Sequence, residues 1–259
     1  LLLREKKDQI EILTLNDPKK LNALSEEMLS CLESAFNDIS NNRDIRVVII
    51  QGAGKAFCAG HDLKQMQLAR QSEDKGRKYF NYLFKRCGKM MISIKNLPQP
   101  VIASVNGIAT AAGCQLVASC DLAIASSQAT FGVNGVNIGL FCSTPMVALS
   151  RNIGKKKTFE MLVTGEFLDA ESAKMAGLIN EVVSIDDLQN KSFAFANKIQ
   201  SKLSSAIKIG KEAFYTQSEM NLEDAYNFTA EIMAENMLYR DTKEGIKAFI
   251  EKRIPTWDK

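Results

Sequence analysis

Apolar and polar positions follow two different periods along the first part of the chain. Ile10–Leu15 alternates apolar and polar side chains and predicts an outer strand, whereas the β-branched run Val47–Ile50 predicts a strand buried on both faces. Between them, apolar residues recur every three to four positions after Ser25, which predicts a helix with Ser25 as its N-cap. Strands and helices therefore alternate here.

The pattern continues with a long helix and two strands, and then it changes. Lys75–Lys95 has the amphipathic spacing of a long helix, and Val101–Val105 and Leu122–Ala125 predict buried strands. Beyond Pro145 nearly the whole chain has helical spacing, with Leu178–Ser184 as a short extended exception. We therefore expect an α/β core followed by a helical tail.

Two segments share a pattern in which an apolar strand breaks into small residues and a helix then begins. The first is Phe57–Lys64, Phe-Cys-Ala-Gly-His-Asp-Leu-Lys, and the second lies within Pro100–Asp121, as Thr-Ala-Ala-Gly-Cys-Gln. Such a turn leaves backbone N–H groups at a helix start without acceptors. Two such turns can direct N–H groups at one oxygen and stabilise negative charge that develops there. The pair therefore predicts an oxyanion hole.

Composition argues against several classes of function. The 259 residues carry 33 basic and 30 acidic side chains, for a net charge of +3, with Lys155–Lys157 as the one tight basic triplet. We therefore expect no nucleic-acid partner. No apolar run reaches the roughly 18 residues of a membrane span, so we expect no membrane partner. A single histidine and six cysteines without CxxC spacing argue against a metal site. Cysteines placed among apolar residues predict a reducing compartment, either the cytoplasm or, after removal of a targeting segment, the mitochondrial matrix.

In this order, the two turns resemble those of the crotonase (enoyl-CoA hydratase/isomerase) superfamily, and the resemblance covers almost the whole chain. It includes Pro18–Leu24 and the C-terminal Ala-Phe-Ile-Glu-Lys-Arg that ends at Arg253. The resemblance implies an α/β fold, a ClpP-like spiral of ββα units. Residues 1–199 would form this core domain. Residues 200–259 would form a helical region that packs on neighbouring subunits of a homotrimer, or of a dimer of trimers.

The same resemblance implies that the ligand is an acyl-CoA thioester, with coenzyme A as part of the substrate and no separate cofactor. The thioester carbonyl would accept hydrogen bonds from the backbone N–H groups of His61 and Ala112. Family members usually carry glycine at the position of Ala112, and an alanine retains its N–H there if its φ stays negative. The substrate would contact both turns, a later loop and the C-terminal helix through Ala23, Ala59, His61, Asp62, Leu63, Lys64, Gly113, Asn134, Cys142, Phe249 and Lys252.

The two acid–base positions of the family's hydratases carry no carboxylate in this chain. The resemblance places Gln115 and Gly135 at these catalytic positions, and neither accepts a proton at neutral pH. The subgroup named enoyl-CoA hydratase domain-containing protein three also lacks both glutamates, and Ala109–Asp121 and Val136–Pro145 resemble it most specifically. His61 is the only side chain of these motifs that titrates near neutral pH. Either its ring touches the substrate or only its backbone N–H matters.

Three functions remain open at this point. The first is an acyl-CoA enzyme of the hydratase/isomerase type with an altered acid–base set. The second is decarboxylation of a malonyl-type acyl-CoA, in which loss of CO₂ generates the enolate and the oxyanion hole stabilises it. The third is a non-catalytic protein that binds acyl-CoA.

Overall fold

The computed structural model describes residues 1–257, which divide into two compact units, residues 1–197 and the residues from Lys198 onward. The strands are β1 (Leu2–Lys7), β2 (Ile10–Leu15), β3 (Val47–Gly52), β4 (Ala56–Cys58), β5 (Val101–Val105), β6 (Ile108–Thr110), β7 (Leu122–Ser126), β8 (Thr130–Gly132), β9 (Phe167–Asp169) and β10 (Glu181–Val183). The α-helices are α1 (Glu26–Ser40), α2 (Leu63–Ala69), α3 (Arg77–Asn96), α4 (Ala112–Ser119), α5 (Pro145–Leu149), α6 (Lys155–Thr164), α7 (Ala170–Met175), α8 (Leu188–Gln200), α9 (Ser204–Gln217), α10 (Leu222–Met237) and α11 (Arg240–Ile250). Short 3-10 helices cover Pro18–Lys20 and Asn134–Ile138.

The larger sheet has six strands in the order β1-β2-β3-β5-β7-β10. β1 and β2 are antiparallel, and each later neighbour is parallel to the strand before it. The predicted strand Ile10–Leu15 is confirmed in extent, but its prediction as an outer strand is wrong because β1 covers it. Its one charged residue, Glu11, is buried and accepts a hydrogen bond of 2.7 Å from Arg4 Nε.

The smaller sheet has four strands in the order β4-β6-β8-β9, and its first three strands are parallel. The successive pairs β3–β4, β5–β6 and β7–β8 each contribute one strand to the large sheet and a short strand to the small one. Helices follow the first two pairs, so the chain repeats a ββα unit while it winds forward. The predicted spiral of ββα units is confirmed.

Local signals account for the helix boundaries. Ser25 caps α1, since its hydroxyl accepts a hydrogen bond of 3.2 Å from the Met28 N–H, as predicted. The predicted helix over Lys75–Lys95 begins later, at Arg77, because Lys75 and Gly76 both have positive φ. Asp121 follows α4 and has a structural role, since its carboxylate accepts a hydrogen bond of 2.7 Å from the Val101 N–H.

β1 and β9 are among the strands that the sequence pattern does not predict. β1 is mostly exposed and its side chains are largely charged, so it lacks the apolar pattern of a strand. β9 has only three residues and lies in a region of helical spacing, where it pairs antiparallel with β8. The extended exception at Leu178–Ser184 is confirmed as β10, which pairs with β7.

The second unit consists of helices. α9, α10 and α11 follow one another, and the turn after α11 is held by Arg253, which forms two hydrogen bonds, of 2.6 and 2.9 Å, to Glu244. Phe249 is 84% exposed, and Lys252 lies in the turn with φ +54°. Within residues 1–257, no helix is both long and apolar enough to cross a membrane.

Candidate active site at the ends of three short strands

The small sheet brings three loops of the chain to one edge. β4, β6 and β8 are parallel neighbours, with Cys58 opposite Ala109 and Thr110 opposite Gly132. Their carboxyl ends therefore lie side by side, which is where open α/β sheets generally form ligand sites. The residues that follow the three strands are those predicted for the site: Ala59–His61, Ala111–Gly113 and Asn134–Gly135.

The two predicted oxyanion turns are in close contact. Gly60 has φ +87°, and a Cβ atom at this position would lie 3.2 Å from the Ala112 nitrogen and 3.0 Å from the Ala111 Cβ. A Cβ atom at Gly113 would overlap the Cys58 carbonyl oxygen. Glycine at both positions therefore permits the start of α4 to pack directly on the turn after β4.

The backbone N–H groups of His61 and Ala112 are both without an acceptor among residues 1–257. Ala112 is the first residue of α4, so its N–H lies at the positive end of the helix dipole. The unusual backbone angle falls on the preceding residue, Ala111, with φ +50° and ψ −118°. Because Ala112 itself has no positive φ, alanine is compatible with the geometry required there.

The His61 imidazole packs against an aromatic side chain. Its ring lies edge-on to Phe84 of α3, with ring centroids 5.6 Å apart. Nδ1 is 3.4 Å from the Leu24 carbonyl oxygen, and Nε2 is buried without a hydrogen-bond partner among the described residues. Burial lowers the pKa of the imidazole below its ordinary value, against a smaller effect of the Leu24 carbonyl, so the ring is neutral at pH 7.

Gln115 and Gly135 differ in the space around them. Gln115 is 4% exposed in α4, and its Oε1 atom has no hydrogen-bond partner in the part of the chain that the structure describes. At Gly135 an added Cβ atom would overlap the Leu140 carbonyl oxygen and lie 2.8 Å from Cys142 Sγ. Position 115 thus holds a polar side chain at the site. Position 135 has no room for a side chain with the present backbone.

The buried cysteines near the site are not suited to act as bases. Burial raises the pKa of Cys114 to about 12 and also raises that of Cys142. Both are therefore protonated at neutral pH, and a thiol is a poor proton acceptor. All six cysteines are free, and five of them are buried.

The remaining predicted contacts of the first turn surround the start of α2. Asp62 caps this helix, and its carboxylate also accepts a hydrogen bond of 3.1 Å from Lys20 Nζ. Burial acts to raise the pKa of Asp62, but the hydrogen bonds lower it overall, so the group is ionised and engaged. Leu63 and Lys64 are exposed at the first turn of the helix. Ala23 and Ala59 also lie here, since the Ala59 N–H donates to Leu21 and the residue after Ala23 donates to Gly60.

Other contacts at the site did not follow from the sequence. Thr110, the last residue of β6, donates a hydrogen bond of 2.7 Å from Oγ1 to Oδ1 of Asn134, which joins two of the three loops. Asn22 is buried, and its amide donates to the carbonyl oxygens of Ala53 and Ala56 at 2.9 and 2.8 Å. These two hydrogen bonds hold Asn22 against the start of β4. In the sequence, Thr110 could have been singled out by its position immediately before the small-residue turn.

Other features of the surface lie away from these loops. Two cavities, of about 400 and 390 Å³, are lined by residues of α1 and α3 and by residues of β1 and α8. Within residues 1–257 there is no cluster of three or more histidine, cysteine, aspartate or glutamate side chains that could hold a metal.

Comparison with known proteins relates this arrangement to enzymes of one family. The sequence pattern of the enoyl-CoA hydratase/isomerase family matches residues 5–259. The human enoyl-CoA hydratase domain-containing protein 3, mitochondrial, is 46% identical over 250 residues, which cover 96% of this chain and 81% of the human protein. A short-chain-enoyl-CoA hydratase of Clostridium acetobutylicum is 35% identical and aligned over 97% of this chain and 95% of its own length.

Solved structures are similar over nearly the whole chain. The crystal structure of an enoyl-CoA hydratase of Mycobacterium smegmatis has a TM-score of 0.95 and 50% identity, and the alignment covers 99% of this chain and 98% of that one. The crystal structure of the human domain-containing protein 3 has a TM-score of 0.93 and 44% identity, with 99% of each chain covered. The predicted resemblance to this subgroup is confirmed. The chain belongs to the enoyl-CoA hydratase/isomerase family and has its crotonase fold.

Proposed function

We propose that this protein binds an acyl-CoA thioester and stabilises its enolate with the backbone N–H groups of His61 and Ala112. The observation that carries the proposal is that both N–H groups lack acceptors at two turns in contact with each other. Backbone donors held in this way gain no stabilisation until charge develops on an oxygen placed between them. The proposed reaction is therefore of the hydratase/isomerase type and proceeds without the two glutamates of the family's hydratases.

The oxyanion hole acts when the thioester becomes an enolate. Addition at C3 or loss of a group from C2 moves an electron pair toward the carbonyl oxygen. The two N–H groups and the start of α4 then stabilise the resulting negative charge. Each such donor is worth roughly 10² to 10³ in rate. The site can therefore support enolate chemistry even with glutamine and glycine at positions 115 and 135.

The coenzyme A portion of the ligand is proposed to lie along the turn after β4. Ala23 and Ala59 are small, which allows a close approach to the backbone, and Leu63 and Lys64 are exposed at the start of α2. Gly113 and Asn134 would face the acyl group from the other loops, with Cys142 behind Gly135. In a homotrimer, or a dimer of trimers, the exposed Phe249 and Lys252 of a neighbouring subunit would complete the site.

The two alternative functions are separated by the charge and space at the site. A non-catalytic acyl-CoA-binding protein is favoured by the absence of a carboxylate at Gln115 and by the lack of room at Gly135. A malonyl-type decarboxylase needs a cation for the substrate carboxylate. Lys20, the lysine that contacts the first turn, already pairs with Asp62, which disfavours this reaction.

The test combines an enolate signal with turnover. Acetoacetyl-CoA can be titrated with protein, and the absorbance of its enolate reports stabilisation of negative charge without any reaction. Hydration of crotonyl-CoA and release of CO₂ from malonyl-CoA are then measured on the same preparation. Enolate formation with hydration supports the proposal. Enolate formation without either reaction identifies the binding protein, and the absence of an enolate signal contradicts the oxyanion hole.

A Gln115→Glu variant tests whether the site lacks only a base. We expect it to raise crotonyl-CoA hydration above that of the native chain, because a general base contributes roughly 10² to 10⁴ in rate. A glutamate at position 135 is unsuitable for this test, because even its Cβ atom would overlap the Leu140 carbonyl oxygen.

The compartment is part of the same proposal. Several relatives, including the human and Dictyostelium proteins, carry "mitochondrial" in their names. The free cysteines suit a reducing compartment. We propose the mitochondrial matrix over the cytoplasm, and fractionation of cells that express the full-length gene product would decide between them.

A further inference from the structure

Two hydrogen-bond acceptors at the proposed site are buried and have no partner. They are His61 Nε2 and Gln115 Oε1. A buried polar atom left without a partner is costly, and such groups in a folded protein call for an explanation. Both belong to the residues that follow β4 and β6, and Gln115 lies one helical turn after Ala112, on the same side of α4.

The tautomer of His61 follows from its contact with Leu24. A carbonyl oxygen only accepts hydrogen bonds, so a hydrogen bond across the 3.4 Å between Nδ1 and the Leu24 carbonyl oxygen needs the proton on Nδ1. In the neutral ring, Nε2 then carries a lone pair and no proton. Burial, which lowers the pKa of this imidazole, favours the neutral form.

The ionisable groups on the elements next to His61 are engaged with other partners or exposed. On its own loop, Asp62 pairs with Lys20 and caps α2. From α1, Glu27 accepts a hydrogen bond of 3.0 Å from Gln65, and Glu26 lies beside it at the helix start. Lys64 is exposed in α2, and the pKa of Tyr79 in α3 is raised to about 12 by burial and by Glu26.

We propose that His61 Nε2 is the proton acceptor of this enzyme and takes its proton from a water molecule beside the acyl group. This inference rests on the proposed function, since it needs a thioester in the oxyanion hole.

The chemistry balances with these groups alone. The water oxygen bonds to C3 of an enoyl thioester while His61 Nε2 takes one of its protons. The C2–C3 π electron pair moves through C1 to the carbonyl oxygen, and the N–H groups of His61 and Ala112 stabilise that enolate. The imidazolium then returns its proton to C2, and the carbonyl re-forms. The net result is addition of water, and His61 ends neutral.

The tautomer can be measured without any substrate. His61 is the single histidine of the chain, so ¹⁵N-labelled histidine gives one pair of ring-nitrogen signals. We expect the Nδ1–H tautomer at pH 7 and a midpoint below the ordinary value of about 6.5. A proton on Nε2, or a midpoint at or above 6.5, would overturn the assignment of Nε2 as acceptor.

Kinetics of matched variants test the role itself. His61→Asn retains an amide donor for the Leu24 carbonyl oxygen but places no atom at Nε2. We expect kcat/KM for enoyl-CoA hydration to fall by about 10² or more, and the acidic limb of the pH profile to disappear. Acetoacetyl-CoA should still form its enolate, because the backbone N–H remains. Gln115→Leu should raise Tm, since it removes a buried unpaired acceptor.

The outcomes separate this inference from the proposed function. If His61→Asn hydrates as well as the native chain with the same pH profile, His61 contributes only its backbone and the inference fails. If the native chain forms the enolate but hydrates no enoyl-CoA, the inference fails while the oxyanion hole stands. If the enolate signal itself is absent, the proposed function fails first.

Discussion

The two sheets of this protein share three ββ pairs, but only the parallel strands of the small sheet lead directly into the loops of the proposed site. In the large sheet, β1, β2, β3, β5 and β7 have five or six residues each, and all of these except β1 are largely buried. The small sheet has strands of only three residues. Each of its parallel strands is followed by a tight turn that contains site residues. The large sheet therefore provides the rigid core, and the short strands deliver three loops to one edge.

Strained backbone and unpaired polar groups also lie at the small sheet. At the ends of the short strands lie a positive φ at Ala111, two N–H groups without acceptors, and two buried acceptors at His61 and Gln115. Features of this kind lower stability, and they concentrate at functional sites. The predictions below ask whether changes at the small sheet behave differently from matched changes elsewhere.

The largest effect is expected at Gly60. Gly60→Ala adds a Cβ atom 3.0 Å from the Ala111 Cβ and 3.2 Å from the Ala112 nitrogen, in addition to an unfavourable φ of +87°. We expect a loss of about 2–4 kcal/mol in the free energy of unfolding, by combining strain with overpacking, and loss of the enolate signal. Denaturant unfolding and acetoacetyl-CoA titration measure the two effects.

Gly139→Ala is the matched control for that change. Gly139 also has a positive φ, +75°, but an added Cβ atom would meet no atom within 4 Å. The Gly139→Ala variant should lose only about 1–2 kcal/mol in the free energy of unfolding, the part that comes from the positive φ. Equal losses in both variants would show that the contact between the two turns is unimportant.

An intermediate effect on the free energy of unfolding is expected when the pH is lowered. The pKa of His61 is lowered in the folded state, so the unfolded chain binds more protons below pH 6.5. Stability should fall as the pH drops through 6.5 and should level off below the folded-state pKa. In His61→Asn this part of the acid loss should be missing, which unfolding curves at pH 7.5 and 5.5 would reveal. Identical acid losses in the two proteins would contradict a neutral buried ring.

The smallest effect is expected at Ala111. Ala111→Gly relieves a positive φ worth about 1–2 kcal/mol and adds a backbone entropy cost of about 0.5–1 kcal/mol. The variant should therefore be more stable by up to about 1 kcal/mol. Ala103→Gly in β5, where alanine is fully buried in a regular strand, should be destabilised by a similar amount. Stabilisation of both variants, or of neither, would remove the distinction between the two sheets.

Much of the fold follows from the sequence, for physical reasons that differ between the sheets. Strands such as Val101–Val105 are long apolar runs and helices such as Glu26–Ser40 carry a cap and a stripe, so local pattern suffices. The three-residue β9 has no such pattern, and its existence depends on β8 beside it. β1 is charged and exposed, so only its pairing with β2 identifies it as a strand.

The site was predictable in position but not in detail. The small residues at Gly60 and Gly113 indicated the two turns, because close backbone approach leaves a signature in side-chain size. The sequence alone could not show that the positive φ falls on Ala111 rather than Ala112, or that Gly135 has no room for a side chain. Those properties arise from contacts between loops far apart in the chain.

One measurement tests the central claim, that the N–H of Ala112 stabilises the enolate oxygen. Replacing the amide before Ala112 by an ester, with lactic acid at that position, removes the N–H and changes little else. The same replacement at Ala170 is a matched control, since this alanine also begins a helix. We expect the enolate fraction of bound acetoacetyl-CoA to fall by about 10² in the first protein and to stay unchanged in the second. An unchanged enolate fraction in the Ala112 ester would contradict the account.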